Sequence, residues 1–142
     1  KVIFDLFCGT GTITQSLAGA AKKVIGVDIS DDAIKSAIEN TKLNKINNVS
    51  FYRGDVFEVI RNINEKPDVI VLDPPRAGVN AKALEKIVEF SPREIVYISC
   101  NPKTLIDNLY FFEYNRPSRL LIISSSHHMS KRFVYCRGSE GN

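Results

Sequence analysis

Paired cysteines are missing from this 142-residue chain: Cys8, Cys100 and Cys136 form an odd set with no matched spacing, which excludes a disulfide framework. No hydrophobic leader and no apolar run long enough to span a bilayer occurs, so the expectation is a reduced, soluble, cytoplasmic protein with no membrane partner. Repeats, low-complexity tracts and internal linkers are absent too, leaving one globular domain over residues 1–142. A dominant charge is also lacking. The 19 basic and 16 acidic residues leave a net charge of +3, which suits an anionic partner such as RNA but is too small to argue for one. No metal-ligand spacing stands out.

What is present is a strand–helix alternation. At 44% hydrophobic content, a chain this long buries roughly two-thirds of its unfolded surface. Residues 2–7 read as a buried strand that enters the turn Cys8-Gly9-Thr10-Gly11. Thr12 with Gln15 forms a capping-box pattern opening a helix over 12–20. Residues 24–28 form a second strand ending on Asp28, about 20 residues after the glycines, where a dinucleotide fold places the acid that holds ribose hydroxyls. Ser30 caps the next helix, with Asp31 and Asp32 in its first turn and Ile34, Ala37, Ile38 and Thr41 on one face.

Further strands are expected at 49–53, 68–72, 94–99, 119–124 and 132–136, and helices at 56–63, 81–90 and 103–112. Leu84, Ile87 and Val88 should point inward from the 81–90 helix. Such a pattern predicts an α/β, Rossmann-like fold: a mostly parallel seven-stranded sheet with helices on both faces and ligands at the carboxyl ends of the strands. Asp5, Gly9, Gly11, Asp28, Asp55, Asp73 and Cys100 all fall at or near such ends.

A nicotinamide site would want a third glycine three residues after Gly11, but position 14 is Thr14. Asp5-Leu6-Phe7-Cys8-Gly9-Thr10-Gly11 instead resembles the first motif of class I S-adenosylmethionine-dependent methyltransferases. Asp73-Pro74-Pro75-Arg76 and Ser99-Cys100-Asn101-Pro102 narrow the resemblance to the RNA uracil-C5 methyltransferases that modify tRNA and ribosomal RNA, over residues 2–109. The resemblance implies S-adenosylmethionine as cofactor, with Asp5, Gly9 and Gly11 on its methionine and backbone side, Asp28 on its ribose, Asp55 near its adenine, and Asp73 among the residues that bind it. It implies that Asp73, Arg76 and Asn101 bind the pyrimidine, and that Cys100 is the nucleophile.

Such chemistry needs a cysteine because C5 of uracil is too weak a nucleophile to attack a sulfonium directly; a thiolate added at C6 makes an enolate that can. A free thiol is largely protonated near neutral pH, so the helix start after Pro102 is the expected aid. The target base must also be splayed from its RNA stack. Cys8 and Cys136 read as packing residues.

One family element is not found. Its His-x-Glu, which carries the base that removes the C5 proton, is replaced in the region that reads Ser124-Ser125-Ser126-His127-His128-Met129-Ser130-Lys131. His127 and His128 are the candidate bases there, and Glu140, in a Gly/Ser tail, is a poor one. Because the chain is in an apolar strand by Val2, an excised catalytic domain lacking upstream RNA-binding domains is expected. Rival readings are a cytosine-C5 methyltransferase, whose fourth-strand loop would carry a cysteine after a proline; an amino-directed methyltransferase, with an aromatic residue where Arg76 stands; and a catalytically impaired cofactor- or RNA-binding domain.

Overall fold

The structure is a computed structural model that describes residues 1–115, 117–124 and 132–136. Its elements are β1 (Val2–Leu6), α1 (Thr12–Ala18), β2 (Lys23–Asp28), α2 (Asp31–Leu43), β3 (Val49–Arg53), α3 (Val56–Ile60), β4 (Val69–Leu72), α4 (Ala81–Glu89), β5 (Glu94–Ser99), α5 (Pro102–Asn115), β6 (Arg119–Ser124) and β7 (Arg132–Cys136). The strands form one sheet in the order β3-β2-β1-β4-β5-β6-β7. Every neighbouring pair is parallel except β6 and β7, which are antiparallel.

That order follows from what each strand must bury. β1, β2 and β4 are almost continuous apolar runs, as strands covered on both faces must be. Alternate residues enter opposite layers. Phe4, Ile25 and Ile70 meet Ile60, Leu84, Ile87 and Phe112 from α3, α4 and α5 on one face. Ile3, Val24 and Val71 meet Ala18 and Leu17 of α1 on the other. The chain runs outward from β1 through β2 to β3, then returns to place β4 on the other side of β1. Strand direction of travel therefore reverses between β1 and β4, and an open α/β sheet binds ligands in the crevice at such a point.

Strand limits agree with expectation to within a residue, and the sheet is the mostly parallel seven-stranded one foreseen. The helices differ more. Thr12 and Gln15 form no capping box: Gly11 is the residue before α1, no side chain caps it, and Thr12 lies inside the helix with its carbonyl accepting the Ser16 hydroxyl. The left-handed turn at Gly11 (φ +82°) leads the backbone straight into the helix, so no threonine cap is needed. Ile38 is 37% exposed because α2 packs through Ile34, Ala37 and Thr41, and Ile38 lies at the margin of that face. Val88 is only partly buried, whereas Ala83 joins Leu84 and Ile87 in the core. The helix expected over 56–63 ends at Ile60, and α5 runs about one turn further than expected. The candidate bases His127, His128 and Glu140 and the side chain of Cys136 lie outside the described residues.

Candidate active site

Three carboxylates gather where the sheet order reverses. Asp5 lies within β1, Asp28 ends β2 and Asp73 follows β4, and β1 is hydrogen-bonded to both of the other strands. Asp5 is fully buried. Its Oδ2 accepts the Thr14 hydroxyl at 2.5 Å, and its Oδ1 has no hydrogen-bond partner. Burial pushes its pKa up to about 6; the Thr14 bond opposes this, and the charges of Asp73 and Asp28 add to the rise. Asp73 keeps one side to solvent, and partial desolvation raises its carboxyl above the ordinary range. The crevice is thus electronegative, with one buried lone-pair-bearing oxygen uncommitted.

Thr14 is the residue that the sequence offered only as a failed glycine. It stands on the buried side of α1, and its hydroxyl donates to the Asp5 carboxyl. Its signal was present, since a helix residue two or three positions after a glycine turn faces back onto the preceding strand, but the glycine template hid it.

The glycine turn is held from β2. Gly9 N–H donates to Asp28 Oδ2 at 2.9 Å and Ser30 N–H to Asp28 Oδ1 at 2.9 Å, while Cys8 N–H donates to the Val27 carbonyl at 2.9 Å. Each Asp28 oxygen keeps a further acceptor site after this. Gly9 (φ +55°) and Gly11 (φ +82°) both adopt left-handed backbone. Around Gly9 there is open space where a side chain would stand, so the backbone there is open to a ligand. Cys8 is packing, as foreseen: it is 9% exposed, its thiol points to the Gly9 carbonyl, and burial, then Asp5 and Asp28, push its pKa to about 12. Asp55 is exposed and caps α3, with Oδ1 accepting Glu58 N–H at 3.1 Å.

The second half of the site is two loops on adjacent strands. Leu72 of β4 sits opposite Tyr97 of β5, so the Asp73-Pro74-Pro75-Arg76 loop and Cys100 emerge side by side at the carboxyl edge. Cys100 is exposed to solvent. Beside it, Asn101 N–H donates to Ser99 Oγ, and Asn101 Oδ1 accepts Lys103 N–H in the first turn of α5. Asn101 Nδ2 and Thr104 Oγ1 each donate to the Arg76 carbonyl at 3.0 Å. Asn101 therefore ties the two loops together through its side chain, a use that its place in the motif did not reveal. No group of three metal-ligating side chains is found among the described residues, and no described helix is long and apolar enough to cross a membrane.

Residues 1–136 match the family described as "Methyltransferase domain". A Clostridium tetani protein named an uncharacterized RNA methyltransferase is 56% identical over 109 residues, 77% of this chain and 24% of that protein. A Porphyromonas gingivalis protein of the same name is 36% identical over 152 aligned residues, covering 99% of this chain and 32% of that protein. The chain thus spans a quarter to a third of the length of these relatives. Among solved structures, the Pyrococcus abyssi tRNA (uracil-54, C5)-methyltransferase, in complex with S-adenosyl-L-homocysteine, superposes with a TM-score of 0.69 at 27% identity, over 86% of this chain and 30% of that one.

Proposed function

The chain belongs to the methyltransferase domain family, and from that premise we propose that it is the catalytic domain of an S-adenosylmethionine-dependent RNA methyltransferase that acts on C5 of a uridine through Cys100. The carrying observation is the pairing of the 73–76 loop with an exposed cysteine on the next strand, the two loops joined through the Arg76 carbonyl. Relatives named RNA methyltransferases and the structural likeness to a tRNA uracil-C5 enzyme support it.

The residues present fit the cofactor. A zwitterionic sulfonium carries more positive than negative charge, and the crevice offers three carboxylates, one with a buried oxygen that lacks a partner. Asp5 would supply the charge for the ammonium end, Gly9 and Gly11 a backbone free of side chains, and Asp28 acceptor oxygens for ribose hydroxyls. Asp55, at the end of β3, stands on the adenine side in this reading. S-adenosylmethionine, when bound, supplies the electrophilic methyl group that C5 takes.

Every other step belongs to the chain and the pyrimidine. Cys100 Sγ, as thiolate, bonds to C6, and the C5–C6 electron pair moves onto C5 and O4 as an enolate. α5 opens at Pro102, two residues after Cys100, so in this reading the positive end of the helix dipole favours the thiolate. Asp73, Arg76 and Asn101 orient the ring in this reading. A base then removes the C5 proton, the C6–S bond breaks and the thiolate leaves; His127 and His128 are proposed for that role.

The test is mass spectrometry of RNA treated with the full-length protein and methyl-labelled cofactor, together with a denaturing gel of the protein and 5-fluorouridine RNA. A methyl on C5 of uracil and a Cys100-dependent band are expected, both lost in Cys100→Ser. A methyl on cytosine or on an exocyclic nitrogen would overturn the reading.

A further inference from the structure

One side chain outside the motifs joins three segments: α5, on which it lies, the stretch after β4, and β5. Asn108 lies on the inner side of α5 and is 8% exposed. Its Oδ1 accepts Val79 N–H at 3.0 Å and the Tyr97 hydroxyl at 2.6 Å, and its Nδ2 donates to the Val79 carbonyl at 3.1 Å. Both backbone groups of Val79 are therefore taken by a single amide, much as a neighbouring strand would take them. Tyr97, 1% exposed, brings β5 into the same joint.

Val79 ends the segment that begins with Asp73-Pro74-Pro75-Arg76. Gly78 before it has φ +78°, and a Cβ there would stand 2.9 Å from Asn108 Oδ1 and 3.1 Å from Thr104 Cβ. A side chain at Gly78 would force the Asn108 amide out of place, and that amide is fixed by three bonds. One turn earlier on the same face of α5, Thr104 holds the Arg76 carbonyl. The segment is thus fastened to α5 at Arg76 and again at Val79, and α5 opens at Pro102, just after Cys100 and Asn101.

From this geometry we propose that Asn108 is a positioning residue: it sets the spacing between the 73–76 loop and Cys100, and so the alignment of the pyrimidine with the sulfur. The proposal rests on the reading of Cys100 as nucleophile. Asn108 has no hydrogen bond to Asp5, Gly9 or Asp28, so its loss should act on the pyrimidine step and leave cofactor binding alone.

The experiment uses the full-length protein with total tRNA and rRNA carrying 5-fluorouridine, plus S-adenosylmethionine. The fluorine at C5 cannot leave as a proton, so the Cys100 adduct persists and its rate of formation can be followed. In Asn108→Leu that rate is expected to fall at least tenfold. Affinity for S-adenosylhomocysteine and the rate of Cys100 alkylation by iodoacetamide should both stay within twofold, which general loosening of the fold would not allow. Gly78→Ala should give the same pattern from the loop side, and the double variant should be no slower than the slower single one. Adduct formation within twofold of wild type in folded Asn108→Leu overturns the proposal, as does a matching fall in cofactor affinity. Should Asn108→Leu not fold, Gly78→Ala decides by the same criteria. Wild-type protein that forms no Cys100 adduct overturns the uracil reading itself, and this inference with it.

Discussion

Replacing Asp5 by asparagine tests the buried carboxylate on two sides at once. In the ligand-free protein the pKa of Asp5 is about 6 against an ordinary 3.8. A shift of about two units, at ~1.4 kcal/mol per unit, makes the ionised form cost about 3 kcal/mol of stability. The native state holds this proton more tightly than the unfolded chain does. Stability is therefore unpenalised below about pH 4, falls as pH rises through about 6, and stays lower above it. The Asp5→Asn variant would lack that slope and keep an oxygen for the Thr14 hydroxyl. Its amide would sit where Oδ1 has no partner, costing about 1–3 kcal/mol. At pH 8 the variant should thus be as stable as wild type or up to about 2 kcal/mol more so. Cofactor affinity should move the other way, because a charge-assisted interaction of about 1.5–3 kcal/mol is lost, roughly 10- to 100-fold. Urea unfolding of both proteins from pH 4 to 8, with calorimetric titration of S-adenosylhomocysteine at pH 8, gives both numbers. A stability difference that is flat across that range would refute the buried-carboxylate argument, and unchanged affinity would remove Asp5 from the cofactor site.

Thr14→Val deletes the side-chain bond that lowers the Asp5 pKa, so the midpoint of the pH dependence of cofactor binding should rise above that of wild type; a titration series from pH 5 to 8 reads it. Gly11→Ala puts a Cβ 3.0 Å from Ala37 Cβ and 3.1 Å from the Phe51 ring at a left-handed position, which should cost about 2–4 kcal/mol in urea unfolding. Iodoacetamide at pH 8 should label Cys100 and spare Cys8, whose buried thiol has a pKa of about 12; peptide mass spectrometry after brief exposure would show the reverse if the roles of the two cysteines were exchanged.

Much of this protein is written locally. Apolar runs bounded by glycine, proline and carboxylates set the strands, and β3, β5, β6 and β7 begin and end where period and turn residues place them. The sheet follows from the same alternation, because parallel strands joined by helices bury both faces. Asp28, Asp73 and Cys100 could be placed at strand ends for the same reason: a residue's position along a strand depends on its immediate neighbours. The helix ends were harder. Thr12 and Gln15 satisfy a capping template, and only the φ of Gly11 shows that the backbone turns before them.

Which of these residues meet was a matter for the packed molecule. The return of β4 to the far side of β1 brings Asp73 to bear on Asp5, although most of the chain's first half separates them in sequence. Thr14 reaches Asp5 only because α1 folds back over β1, and Asn108 reaches Val79 across 29 residues because α5 packs against the loop after β4. Neither contact leaves a periodic trace, since each rests on one side chain meeting one strand or loop. Local chemistry along the chain was enough for the alternation, the glycine turn and the two motifs at the edge. The packing of the helices on the sheet settled how the carboxylates are charged and what holds the loops in place, because burial and hydrogen bonding between distant segments exist only once the chain has folded.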